Sequence, residues 1–330
     1  MNNPWTAWVK ATTATEVGTS LAMFRILMGT FLLIDMLGMF THDVLDPLYR
    51  PYSDGGLARD NVYYFTVGYL GGPSLELAES VVITGAILSA ALMVGFGGRI
   101  TAFLLLQTML TFYSLPIDIG GGYDRLITNG LFLLVLGSNS ATMSVDCWLR
   151  SRTWTSDKPI FGFARYLGIY QLVVMYTSTG FAKQGGGWVY PYDAVYLAFN
   201  RMPYSRFGIG WDGEIQILTR IGTFVAWWWE FSFFVLGLWF LARAAWMGSR
   251  LEGLAKRWDL RIPYIGIGLV MHLTLWVAMD LGTFTVISLS FYVLLYSPAE
   301  WHQFWQDAVG SRHDKHVRSA GTGSRPLPGR

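Results

Sequence analysis

One lysine in this chain stands in a setting that could do chemistry. In TSTGFAKQGGGW (177–188), Lys183 closes an apolar run and is followed by Gly185, Gly186, Gly187 and Trp188. Two readings are open for it. Lysines near membrane helix ends extend their amines to the water interface, which gives Lys183 a role without chemistry. Alternatively, glycines let backbone approach the amine closely, and an amine desolvated beside Trp188 favours the neutral form, which accepts a proton. Other ionisable groups are predicted to reach the same depth. They are Tyr123, Asp124 and Arg125 after the Gly120–Gly122 run, Arg220, and Asp280. His272 lies eight residues before Asp280, or about 12 Å along a helix. Groups delivered by four separate connections to one level are what a site between helices requires.

Such groups need long apolar elements to place them. Of the 330 residues, 52% are hydrophobic and 14% are charged, where a soluble domain carries about 25% charged residues. Lipid accommodates this balance, and the 15 Trp and 17 Tyr suit membrane interfaces. Spanning a bilayer takes about 20 helical residues. Eight runs approach that length, at 20–40, 75–96, 100–116, 126–143, 163–182, 221–241, 262–279 and 282–297. The predicted fold class is therefore all-α, a polytopic helical membrane bundle. Residues 1–19 form a cytoplasmic segment, 20–305 the transmembrane domain, and 306–330 a polar tail with too little to bury for stable folding.

Basic residues set the orientation. With eight spans, sixteen Lys and Arg fall on the side of both termini and seven on the other, with Arg25 inside the first helix. That asymmetry places both termini in the cytoplasm of an inner or plasma membrane and Lys183 at the outer leaflet. Within the spans Arg25, Asp35, Glu230 and His272 are expensive and need partners or wet cavities. Arg25 and Asp35 are about 15 Å apart along one helix, too far to pair directly, so each is expected to meet another helix, whether for packing or for function.

Other signals carry less. The net charge of +2 gives no reason to expect nucleic acid. Cys147, the single cysteine, excludes an internal disulfide and a cysteine-rich metal site. GIGWDG (208–213) follows no strand and is not read as a nucleotide loop. His313 and His316 sit in the tail, and no metal is expected.

Five segments in order resemble the HTTM (horizontally transferred transmembrane) domain, the membrane region shared by vitamin K-dependent gamma-carboxylase and many bacterial proteins. They are SLAMFRILMGTFLLIDML, YSDGGLAR, YDRLITNGLFLLVLGSNSATMSVD, YQLVVMYTSTGFAKQGGGW and MHLTLWVAMDLGTFTVISLSFYVLLYSPAEW. The resemblance covers roughly residues 15–305. It implies that Lys183, in a GxxKxxxxW setting, is the base that deprotonates a prenylated quinol of the vitamin K or menaquinol type. His272 and Asp280 would contact or support that quinol, with Gly185, Gly186, Trp188, Tyr123, Asp124 and Arg125 around it. The chain departs from the carboxylase where it reads SNSATMSVD without the histidine found there. Quinol-dependent modification of a peptide or small substrate at the outer leaflet is one expectation. A non-enzymatic scaffold or maturation partner for a secreted peptide is the alternative, and a transporter is third.

Overall fold

Apolar runs of 16 to 22 residues with few interior glycines leave the backbone one way to satisfy its own N–H and C=O groups, and the chain takes it. The computed structural model describes residues 9, 13–57, 65–115, 121–201, 204–207, 213–243 and 249–308. Gly120, Ala58 and Arg59, most of GIGWDG and the tail from 309 lie outside them. The principal helices are α1 (Thr19–Thr41), α2 (Leu75–Val94), α3 (Gly98–Ser114), α4 (Gly122–Leu136), α5 (Phe163–Ala182), α6 (Gln216–Phe231), α7 (Phe233–Arg243), α8 (Arg261–Ala278) and α9 (Phe284–Ser290). A 3-10 turn, Phe291–Leu295, continues α9. Strands β1 (Thr15–Val17) and β2 (Pro159–Phe161) pair antiparallel, Thr15 opposite Phe161.

The protein is therefore mostly helical, and four of its helical stretches are long and apolar enough to cross a membrane: α1, α2, the run Gln216–Arg243, and α8. Their outer faces are apolar as well. Ile87, Ile217 and Val270 are each more than 60% exposed, an arrangement that water penalises and lipid does not. The other expected spans correspond to helices with shifted ends. The run expected at 126–143 is helical over 122–136 instead, because the Asp124 carboxylate accepts the Gly121 N–H at 2.9 Å and caps an earlier start. It stops at Gly137. At 282–297 the α-helix covers seven residues before tightening to 3-10 geometry. The tail boundary also moves, since 298–308 is helical.

Helix α1 occupies the middle of the bundle, packed against α2, α4 and α9. Its closest crossing is with α2 at Gly29, where a Cβ would lie 2.5 Å from the Met93 N. Arg25 and Asp35 both project from α1, and only Arg25 finds hydrogen-bond partners among the described residues. Its guanidinium donates to the carbonyls of Asn139 at 2.9 Å and Met143 at 2.5 Å, in the turn after α4. Arg165 of α5 holds Glu16 at 2.8 Å and the Leu294 carbonyl at 3.2 Å, fastening the β1–β2 pair to the 3-10 turn. Cys147 is only 2% exposed, so its thiol does not report on which side of a membrane it lies.

A second ionic knot closes the end of α8. Arg261 reaches both Asp259 and Glu300 at 2.6 Å, and Ser297 donates to Glu300 from its N–H and its hydroxyl, each at 2.8 Å. Burial pushes the Glu300 carboxyl up, but the bonds from Arg261 and Ser297 outweigh it and hold it at about 2, against an ordinary 4.5. A carboxyl depressed in the folded state contributes stability in full above its unfolded value, and loses it as pH falls through the folded one. Thermal midpoints in detergent are therefore expected to drop between about pH 4.5 and pH 2. Glu300→Gln flattens that dependence, and an unchanged slope in this variant would remove Glu300 as its source.

Candidate functional site

Helices α5 and α6 cross where Gly180 meets Phe231. A Cβ on Gly180 would lie 2.6 Å from the Phe231 Cα and closer still to its N, so only glycine lets the two backbones touch. Three residues later α5 ends at Lys183, whose N–H bonds to the Thr179 carbonyl at 3.2 Å. The close crossing brings the Lys183 ammonium to the Glu230 carboxylate of α6, at 2.5 Å. The Lys183 side chain is 22% exposed and Glu230 is buried. The amine also sits 4.2 Å from the centroid of the Trp188 ring, a favourable position for a cation. Lys183 therefore has more beside it than Trp188: it is half of a largely desolvated ion pair, with the indole over its other side.

The glycines act differently from expectation too. A Cβ on Gly185 or Gly186 would meet nothing within 4 Å, so neither brings backbone close to the amine. Gly187 is the one that the turn requires, with φ at +91°, a conformation that side chains disfavour. Its carbonyl accepts the Ala194 N–H at 3.0 Å, and the Trp188 N–H bonds to Gly185 at 3.2 Å, which folds Trp188 back over Lys183.

Seven residues before Lys183, two turns up the same face of α5, stands Tyr176. Its hydroxyl and His272 Nε2 of α8 are 2.8 Å apart. Tyr176 packs edge-on against Trp229, centroids 4.5 Å apart, and Trp229 is the residue before Glu230. Two polar pairs, Lys183–Glu230 and Tyr176–His272, therefore share the α5–α6–α8 interface. His272 is fully buried, and its Nδ1 has no hydrogen-bond partner among the described residues. Such an atom costs free energy unless something donates to it or accepts from it. Sequence reasoning passed over Tyr176 and Gly180. The signal was present in their helical spacing from Lys183.

The remaining candidates do not converge on this cluster. After α8 the chain forms a bridge between Met279 and Ser205. That turn directs Asp280 outward, 69% exposed and 3.6 Å from Arg206. Arg220 pairs with Asp193 at 2.6 Å, and the Arg220 hydrogen bond holds the Asp193 carboxyl below its ordinary value. Asp124 is occupied as the cap of α4, while the Tyr123 ring lies against Gly282. Arg125 makes no ion pair among the described residues and lines a cavity of about 530 Å³ with Gln171, Met175, Ser178 and Thr179. A second cavity, about 400 Å³, is bounded by Gly186, Trp188, Leu197, Arg201 and Met279. Lys183 lines neither, but Trp188 stands between its amine and the second.

No protein-family model, curated relative or solved structure matches the chain.

Proposed function

We propose that this is a multi-pass membrane protein with eight spanning helices and both termini in the cytoplasm, acting as a gamma-carboxylase-like enzyme on a quinol at the outer leaflet. The supporting observation is the pairing of Lys183 with Glu230 at the same helix interface as a buried His272 whose Nδ1 is unused among the described residues. A prenylated quinol would supply, when bound, a weakly acidic hydroxyl whose deprotonation opens its oxidation by dioxygen. The Lys183–Glu230 pair is the group that would take that proton, on its Glu230 carboxylate, after Trp188 moves aside to open the pair to the 400 Å³ cavity. This volume lies within the usual range of small-molecule sites, about 300–1,000 Å³. Leu197 and Met279 give the cavity an apolar wall and Arg201 gives it one cation.

The test is epoxide formation from vitamin K hydroquinone or menaquinol, in air, by the purified protein in lipid nanodiscs. Turnover is expected, with a fall of about 100-fold or more in Lys183→Met, the usual range for losing a general base. A second reading, a scaffold for a secreted peptide, draws on the fact that Lys183 and Glu230 satisfy each other and line neither cavity. The absence of epoxide from the wild type with either quinol would favour it.

A further inference from the structure

At the opposite end of the bundle from Lys183, the turns Gly95–Gly98 and Gly137–Ser144 and the start of β2 enclose a cavity of about 540 Å³. Three cations line it, from three different segments: Arg99 at the start of α3, Arg150 in the helix Val145–Ser151, and Lys158 before β2. The structure assigns this cavity to a phosphate group, carried by the headgroup of an anionic phospholipid or free in solution.

Each cation is placed by the fold with donors to spare. Arg99 gives its Nε–H to the Gly137 carbonyl at 3.0 Å and one Nη2 hydrogen to Ser138 Oγ at 3.1 Å. Arg150 gives one hydrogen to the Ser140 carbonyl at 2.7 Å. A guanidinium has five N–H donors, so several remain on each, held in orientation by the bonds already made. The Lys158 amine has no hydrogen bond or ion pair among the described residues. Asp146 is the one carboxylate in the lining, and it is already engaged: its Oδ1 accepts the Gly97 N–H at 3.0 Å. Neither Arg99 nor Arg150 pairs with it. Three cations against one occupied carboxylate leave the cavity positive, and fixed guanidinium forks match phosphate oxygens.

The rim identifies the level of the cavity. Ile100 is 71% exposed, with Phe103 exposed on the same helix, α3, and Phe96 exposed in the turn before it. Trp148 and Trp154 stack with centroids 6.1 Å apart, and Arg152 lies 4.8 Å over the Trp148 ring. Exposed apolar side chains, paired indoles and cations gathered at one end of the helices are the side-chain types found at a lipid interface. A basic pocket at that level meets phosphate headgroups before anything else.

The test uses the full chain, delipidated in neutral detergent, with its thermal midpoint followed during titration with phosphatidylglycerol, phosphatidylcholine or inorganic phosphate. Phosphatidylglycerol is expected to raise the midpoint and phosphatidylcholine to leave it unchanged. The half-saturating concentration is expected to rise about five-fold in Lys158→Gln, and more than ten-fold in Lys158→Gln/Arg150→Gln. Lys158→Gln breaks no side-chain bond, so its midpoint without lipid should equal the wild type. Lys256→Gln, remote from the cavity, is the control. Stabilisation by inorganic phosphate at the same concentrations as phosphatidylglycerol would assign the site to free phosphate. Stabilisation by lipid alone would assign it to a headgroup. No stabilisation by either, or equal weakening in Lys256→Gln, overturns the site.

Discussion

Lys183→Met is expected to lower stability by about 3–5 kcal/mol, the usual result of stripping a buried charge of its partner. Glu230 is 7% exposed, and Lys183 is the one cation that reaches it among the described residues. Glu230→Leu should cost less, because the Lys183 ammonium keeps the Trp188 face and some access to water. The double variant Lys183→Met/Glu230→Leu should recover most of the loss, since a buried pair replaced by apolar groups of similar size is often close to neutral. Unfolding in mixed micelles measures all three. If the double variant is as unstable as the sum of the singles, the two side chains do not act as a pair. The double variant also separates folding from chemistry. A scaffold keeps its function in that protein, and an enzyme that takes a proton on this pair loses it.

Arg25→Met carries the second large effect. The guanidinium bridges two carbonyls in the turn after α4, and Gly95 makes room for it: a Cβ there would lie 2.7 Å from Arg25 Cζ. Hydrogen bonds to charged groups contribute about 1.5–3 kcal/mol each, and release of the guanidinium from a costly burial offsets part of that. The net loss should be about 2–3 kcal/mol. Arg25→Lys should rescue little, because one ammonium cannot reproduce a planar fork that spans two acceptors. Gly95→Ala should damage the same anchor from the other side, being both crowded and held at φ +74°. A wild-type midpoint in Arg25→Met would show that the two carbonyls are satisfied without it.

The helical class and the positions of the helices were legible because apolar runs of this length have few alternatives. Their ends were less so. The start of α4 depends on one carboxylate turning back to Gly121, which apolar periodicity does not register. At the site, Lys183 and Trp188 stood out by type and spacing, and Glu230 by the cost of burying it. That they meet was not legible, because the meeting depends on Gly180 letting α5 touch α6, and this is a matter of where two distant segments cross. Asp280 shows the opposite error. Its sequence position next to α8 suggested the cluster, and the bridge between Met279 and Ser205 turns it away.

The two carbonyls that hold Arg25 belong to residues 114 and 118 positions further along the chain. A ribosome adding about 5–20 residues per second needs roughly 6–24 seconds to cover that distance. Throughout this interval α1 has left the exit tunnel with its guanidinium unmatched, and the Glu16 that precedes it still waits for Arg165. On the membrane reading, the first helix to emerge has its charges matched only when the middle of the polypeptide arrives, and the insertion machinery must shelter it until then.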